Sequence, residues 1–148
     1  MYLYKETYVK NWSFHTPEEK WNITATQGGK PSRIRPERVS TITEEIAYWR
    51  KFNALHAFIV NNFGGGVDDC QRIFLYDEQL KTIHHTLKEI LDDTSLAEEL
   101  MPPSQGFFFG SYEIDEWYWK DVENAYKVFS EILSDGEENR EYYYQASW

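Results

Sequence analysis

Hydrophobic residues recur at helical spacing in three stretches of the chain, and the last stretch is the most regular. It follows Asp115, a residue type that accepts hydrogen bonds from the first turn of a helix, and it ends before Gly136, which favours helix termination. The apolar positions on one face are Tyr118, Val122, Ala125, Tyr126, Phe129, Ile132 and Leu133. The pattern predicts a long helix here.

The second stretch begins at Asp77, which we expect to cap another helix. Its apolar stripe consists of Leu80, Ile83, Leu87, Ile90 and Leu91. Further along, Ser95 and Glu98 have the spacing of a capping box, in which two side chains satisfy backbone N–H groups of the first turn. A helix of one or two turns is therefore expected, and it should end at Pro102.

The first stretch combines an apolar arc with polar residues. Thr41 and Glu44 also have capping-box spacing, so we expect a helix from Thr41 to about Phe63. His56 lies near the middle of the apolar arc and Asn53 lies towards its edge. An unsatisfied buried polar group costs about 1–3 kcal/mol, so both side chains must find partners. The apolar residues of this arc are Ile42, Ile46, Trp49, Phe52, Ile59, Val60 and Phe63.

The two ends of the chain favour β-strands. Residues 1–9 and 142–148 are rich in β-forming side chains, and residues 21–26 and 72–76 fit shorter strands. Together with the helices, this predicts an α+β fold in which three main helices pack on a small, mainly antiparallel sheet formed by the N- and C-terminal strands. The length is that of a single domain, so residues 1–148 are expected to form one.

The charge is acidic and unevenly distributed. The chain carries 25 acidic and 15 basic residues, for a net charge of −10. Residues 1–51 hold nine basic and six acidic side chains, whereas residues 52–148 hold six and nineteen. Such a surface repels nucleic-acid phosphates and anionic membranes, so we expect neither as a direct partner, and it suits a basic protein. An acidic surface that only maintains solubility is the alternative.

The polar residues of the first stretch are candidates for a ligand pocket. His56 and Asn53 would form its polar lining, Arg50 would supply a cation, and aromatic rings would stack on a planar ligand. The alternative is that His56 and Asn53 are structural and bond to neighbouring groups. The expected ligand-binding residues are Trp49, Arg50, Asn53, His56, Asp69, Phe107, Phe109 and Ser111.

The segment Asp68-Asp69-Cys70 could bind a cation or act as acid and base, but its spacing matches no metal site. A capping carboxylate and a buried thiol are the alternative interpretation. His84 and His85 are adjacent, so they cannot both face one metal ion from a helix. We expect no metal and no cofactor. Cys70 is the only cysteine, so no disulfide can form within the chain and a reducing compartment is expected.

Six motifs spread over nearly the whole chain are YWRK at residues 48–51, His56, DDC at 68–70, GFFFGS at 106–111, DEWY at 115–118 and YYQASW at 143–148. In this order they resemble a family of small bacteriophage and prophage proteins of unassigned function. The resemblance implies a phage origin and expression in the host bacterial cytoplasm. It also implies a role against host defence, by class-level association with small accessory phage proteins.

Three functional hypotheses follow. The first is a counter-defence binding protein that sequesters a small nucleotide-derived immune signal in the aromatic and polar pocket. The second is an acidic, protein-directed inhibitor of a basic host defence effector, for example a CRISPR nuclease. The third is a small hydrolase or transferase built around His56 and Asp69. The sequence leaves the oligomeric state open.

Overall fold

The computed structural model describes residues 1–104 and 113–147. The strands are β1 (Tyr2–Tyr8), β2 (Thr26–Gln27), β3 (Lys30–Pro31), β4 (Thr41–Tyr48), β5 (Ile73–Leu75) and β6 (Arg140–Gln145). The α-helices are α1 (Asn53–Phe63), α2 (Asp77–Asp92), α3 (Ala97–Leu100) and α4 (Glu116–Asp135). Short 3-10 turns precede β4 and α3. The expected α+β class, with α1, α2 and α4 as the main helices, is confirmed.

The main sheet has the strand order β4-β1-β6-β5, and every pair in it is antiparallel. The sheet contains the N-terminal strand β1 and the C-terminal strand β6, as expected; the two pair with each other at its centre, with Leu3 opposite Tyr144. Strands β2 and β3 form a separate two-stranded hairpin.

One face of the sheet is covered by helices and forms the core. Alternation along β1 directs Leu3 and Thr7 to this inner face, together with Tyr144 and Leu75 from the neighbouring strands. Helices α2 and α4 pack side by side above it. Burial of each large apolar side chain stabilises the fold by about 1.5–3 kcal/mol. The central fully buried helical residues are Leu80, Ile83, Leu87, Ile90, Val122 and Phe129.

The predicted helix over residues 41–63 is wrong in its first half. Residues 41–48 form strand β4, which pairs with β1, and the helix begins only at Asn53. The register between β1 and β4 shifts at Leu3 and Tyr4, so that Ile46 is an extra residue on β4. A bulge of this kind interrupts the two-residue alternation of a strand, and the resulting spacing of apolar residues imitated a helix.

The ends of the other helices follow the sequence more closely. The Asp115 carboxylate accepts hydrogen bonds from the backbone N–H groups of Trp117 and Tyr118, both at 3.0 Å, which confirms the predicted cap. Helix α4 ends at Gly136, which has a left-handed φ of 63°. The capping box expected at Ser95 is not the observed arrangement, because Asp93 accepts the Ser95 N–H instead.

A buried lysine joins three elements at one end of the sheet. Lys5 is 9% exposed, and its Nζ lies 2.6 Å from Glu137 Oε2, 3.5 Å from Asp135 Oδ2 and 3.4 Å from Glu44 Oε2. The hydrogen bond with Glu137 raises the pKa of Lys5, so the side chain stays charged at neutral pH. These contacts of Lys5 connect β1 to β4 and to the C-terminal end of α4 with the residues that follow it.

Lys5→Met should lower the free energy of unfolding by about 2 kcal/mol, because three neighbouring carboxylates lose their common charged hydrogen-bond donor. Lys81→Met is the matched control, because Lys81 forms an exposed ion pair with Glu78 and its loss should change stability little. Urea denaturation of both variants measures the difference. Equal stabilities of the two variants would contradict the role assigned to Lys5.

Candidate functional site

His56 lies in the interior, where both ring nitrogens are bonded. The side chain is 4% exposed. Its Nδ1 lies 2.8 Å from the Tyr144 hydroxyl, and its Nε2 lies 3.1 Å from Asp68 Oδ2. The expectation that His56 faces the core and finds partners is met by these two contacts.

The direction of the hydrogen bonds follows from the chemistry of the three groups. An ionised Asp68 carboxylate can only accept, so Nε2–H of His56 donates to it. When the ring is neutral, Nδ1 is then an acceptor, and the Tyr144 hydroxyl donates to it. Burial, together with the negative charge of Asp68, raises the pKa of Tyr144 well above its ordinary value, so the phenol keeps its proton.

A glycine-rich loop after α1 brings Asp68 back to the helix. Gly65 and Gly66 both have positive φ, 67° and 72°, which other residues adopt only with strain. The Gln71 side chain closes the loop by donating to the carbonyl of Gly64 at 3.1 Å and to that of Val67 at 3.0 Å. The position of Asp68 is therefore set by the loop fold.

In a nucleophile–His–Asp site the hydroxyl is accessible to substrate and the carboxylate is buried. Here the exposure of the two groups that flank His56 is reversed. Tyr144 is 1% exposed, so its hydroxyl is closed to a substrate, whereas the Asp68 side chain is 39% exposed. The arrangement suits a structural connection between α1, β6 and the loop. Asp69, which the sequence paired with His56, instead accepts a hydrogen bond from the Gln71 backbone N–H at 3.2 Å.

Of the described residues expected in a pocket, Trp49, Arg50 and Asp69 are not among the hydrogen-bond partners of His56 that the structure shows. Trp49 is 2% exposed, its ring stacks on Phe129 with the ring centroids 6.3 Å apart, and its Nε1 donates to Asn124 at 3.0 Å. Arg50 is exposed, and Asn53 is buried at the start of α1. Phe107, Phe109 and Ser111 lie outside the described residues, so a role for them in ligand binding remains a prediction.

A small cleft of about 50 Å³ lies beside Asn53. Its lining includes Lys51 and the carboxylates of Glu113, Asp115 and Asp121. Burial raises the pKa of Asp121. Pockets for ligands of drug or nucleotide size are usually several hundred Å³ in volume, so this cleft is too small and too acidic for a phosphate-bearing ligand.

A second candidate surface is the outer face of the main sheet, which the sequence reasoning missed. Five aromatic side chains lie there and together span all four strands. We refer to these five rings, with the carboxylates Glu6, Glu45 and Glu141 that share their face, as the aromatic face. The five rings are Tyr48 on β4, Tyr2 and Tyr4 on β1, Tyr143 on β6 and Phe74 on β5.

The five rings form a continuous series across the strands. Tyr48 and Tyr2 have ring centroids 4.9 Å apart, and Tyr2 and Tyr4 are stacked at 5.8 Å. Tyr4 stacks on Tyr143 at 5.0 Å, and Tyr143 meets Phe74 at 5.9 Å. Tyr48 is 51% exposed and Phe74 is 40% exposed, so the two ends of the series are open to solvent. Tyr2 and Tyr4 are half-buried and Tyr143 is 3% exposed, so Tyr48 and Phe74 contribute the most exposed apolar surface of the series; exposed aromatic groups that adjoin one another in this way are typical of binding sites.

Carboxylates lie among these rings. Glu6 and Glu141 stand directly opposite each other in the pairing of β1 with β6, and Glu45 is opposite Tyr4. Arg72 lies beside them, with its guanidinium carbon 4.6 Å from the centroid of Tyr143 and one nitrogen 3.5 Å from Glu6 Oε1. The face is thus aromatic at its centre and acidic at one end.

The acidic end of the aromatic face opens into a cleft of about 400 Å³. Its lining residues are Glu6, Tyr8, Thr41, Asn139, Arg140 and Glu141. The Arg140 guanidinium is paired with Asp77, and Arg72 contacts Glu6 from one side, so Glu6 and Glu141 can accept a further cationic group from the side of the cleft. The signal for this face was present in the sequence, because Tyr2, Tyr4, Glu6 and Tyr8 alternate with inward-facing residues.

Comparison of the chain with protein-family models, with curated proteins and with solved structures finds no significant match. The resemblance to phage proteins therefore stays a prediction. Within residues 1–104 and 113–147, no helix has the length and apolar character needed to cross a bilayer.

His56→Ala should lower the free energy of unfolding by about 3 kcal/mol, because it leaves the Tyr144 hydroxyl without its acceptor and opens a cavity. Arg50→Ala, on the same segment but exposed, should change it by less than about 0.5 kcal/mol. Thermal and urea unfolding of the two variants check this difference. Small, equal effects would show that His56 faces a hydrated pocket and is not part of the packed interior.

Proposed function

We propose that this protein is a protein-directed binder that holds a basic segment of its partner on the aromatic face. The observation that carries the proposal is the placement of Glu6 directly opposite Glu141 on a sheet surface lined with aromatic rings. Like charges at directly opposed positions destabilise an antiparallel pair. A cationic side chain placed between them would relieve this repulsion, so the site is suited to a positively charged ligand.

The aromatic rings favour arginine as the cationic side chain that the partner supplies. A guanidinium group is planar and always charged, and it stacks on the face of a tyrosine while it donates hydrogen bonds at its edge. Arg72 already lies in this way, over the Tyr143 ring and beside the Glu6 carboxylate. An arginine from a partner can use Tyr2, Tyr4 or Tyr48 in the same manner.

The charge of the whole chain favours the same class of partner. A net charge of −10 attracts a basic protein at long range and speeds its association, whereas it repels phosphates. Among the three hypotheses from the sequence, the acidic inhibitor of a basic protein therefore has the strongest support. The resemblance to phage proteins implies that this partner is a host defence effector in the bacterial cytoplasm. Its basic surface would normally hold nucleic acid, as in a CRISPR nuclease.

The first hypothesis, sequestration of a nucleotide-derived signal, has less support from the described residues. Trp49 and His56 are engaged in the interior, and the cleft beside Asn53 is small and acidic. The hydrolase hypothesis needs an accessible nucleophile beside His56, but the bonded hydroxyl of Tyr144 is closed to solvent, and Asp69 bonds to the Gln71 backbone instead of to His56.

Titration with a fluorescent arginine-rich peptide tests the proposal, and the same peptide with glutamate at each arginine is the negative probe. We expect binding of the first peptide only, and we expect it to weaken steeply as salt rises. Glu6→Gln combined with Glu141→Gln should weaken binding by about tenfold. The matched control is Glu98→Gln with Glu99→Gln on α3, which should leave the affinity unchanged.

Two results would refute the proposal. One is an affinity for the arginine-rich peptide that is the same at low and high salt. The other is equal loss of affinity in the aromatic-face variant and the α3 variant. Tight binding of a nucleotide such as a cyclic dinucleotide, unaffected by the Glu6 and Glu141 substitutions, would favour the pocket hypothesis instead.

A further inference from the structure

The segment between β1 and β4, residues 10–40, stands apart from the core. None of these residues is buried. Even so, it carries large apolar side chains that are open to solvent: Trp12 is 42% exposed, Phe14 77%, Trp21 46% and Ile34 60%. We call this segment the arm. Exposed apolar side chains concentrated in one segment indicate a surface that another molecule covers.

The arm has its own local order. The Asn11 side chain donates to the Trp21 carbonyl at 2.7 Å and accepts from the Trp21 N–H at 2.8 Å, which closes a loop of the chain. Strands β2 and β3 form a hairpin through Gly28 and Gly29, both with positive φ. The arm is therefore a shaped element that can present its side chains in a defined arrangement.

The charge of the arm is opposite to that of the rest of the chain. Residues 10–40 contain six basic and three acidic side chains, for a net charge of +3, whereas the remaining residues sum to −13. Four of the six bases, Lys30, Arg33, Arg35 and Arg38, lie within nine consecutive residues and surround the exposed Ile34. The arm thus combines arginines with apolar groups, which is the chemistry that the aromatic face is suited to bind.

We infer that the arm of one copy of this chain docks on the aromatic face of a second copy. The inference rests on the proposed function of that face, and it names the chain itself as one of the face's ligands. Arg33 and Arg35 would approach Glu6 and Glu141, and Ile34 and the arm tryptophans would cover exposed aromatic rings. In its own chain the arm leaves Tyr48 51% exposed and Phe74 40% exposed, so both ends of the aromatic face stay open to a second copy.

The position of the arm favours a closed, two-fold dimer. The arm leaves the sheet after Tyr8 and returns at Thr41, and these two residues line the same cleft as Glu6 and Glu141. The base of the arm and its proposed docking site are therefore adjacent at one end of the sheet. Two copies related by a two-fold axis at this end can each place an arm on the other's face, so both contacts form together.

Self-association of this kind competes with the partner for the aromatic face. A basic partner would have to displace the arm, so the protein would dissociate into monomers as it binds. The apparent affinity for the partner would then fall as the protein concentration rises.

The inference is tested by measuring the sedimentation velocity of the natural chain and of charge-reversal variants over a wide range of protein concentrations. The natural chain should dimerise, with dissociation at high salt. Arg33→Glu with Arg35→Glu should weaken the dimer by about tenfold or more, and Glu6→Arg with Glu141→Arg should do the same. An equimolar mixture of these two variants should form a mixed dimer, because each reversed arm then meets a reversed face and each natural arm meets a natural face. Glu98→Arg with Glu99→Arg on α3 is the control that should leave the dimer intact.

A natural chain that stays monomeric at all concentrations would overturn the inference, as would a dimer that neither reversal weakens. Failure of the mixture to associate, while both variants keep their native circular dichroism, would also overturn it. The arm variant keeps the aromatic face unchanged, so its titration with the arginine-rich peptide separates the two proposals. The arm variant should bind the peptide as a monomer, whereas peptide binding by a natural chain that stays monomeric at all concentrations would refute self-association and leave the proposed function standing.

Discussion

The pairing of the first strand with the last is the interaction on which the rest of the structure depends. It places Leu3 opposite Tyr144 on the inner face and Tyr4 opposite Tyr143 on the outer face. The inner pair supports the helices, and Tyr144 also holds His56 and, through it, Asp68. The outer pair forms the middle of the series of aromatic rings. Because side chains alternate, one register decides both the core and the candidate binding surface.

The sequence predicted the elements whose signals are local. The cap at Asp115, the stripe of α2 and the β-forming ends needed only short-range patterns, and each is present. It failed at residues 41–48, where the bulge at Ile46 gave a strand the spacing of a helix. No local pattern reveals that strand pairing overrides such a signal.

The candidate site was predicted only in part, for the same reason. The sequence identified His56 as a buried polar residue that needs partners, but those partners, Tyr144 and Asp68, are set by the sheet and by a glycine loop. The aromatic face depends on cross-strand register, since Tyr48 and Phe74 lie far from Tyr2 in sequence. The alternation of side chains along a strand shows which residues share one of its faces, but it does not show which strands are neighbours in the sheet.

The central claim, that a basic ligand binds the aromatic face, is tested most directly by NMR of the aromatic rings during titration with the arginine-rich peptide. Chemical-shift changes should appear at the ring resonances of Tyr2, Tyr4, Tyr48 and Phe74, while the core rings of Tyr118 and Phe129 should not change. Shifts confined to the rings around His56 and Trp49, with the aromatic face unchanged, would contradict the account.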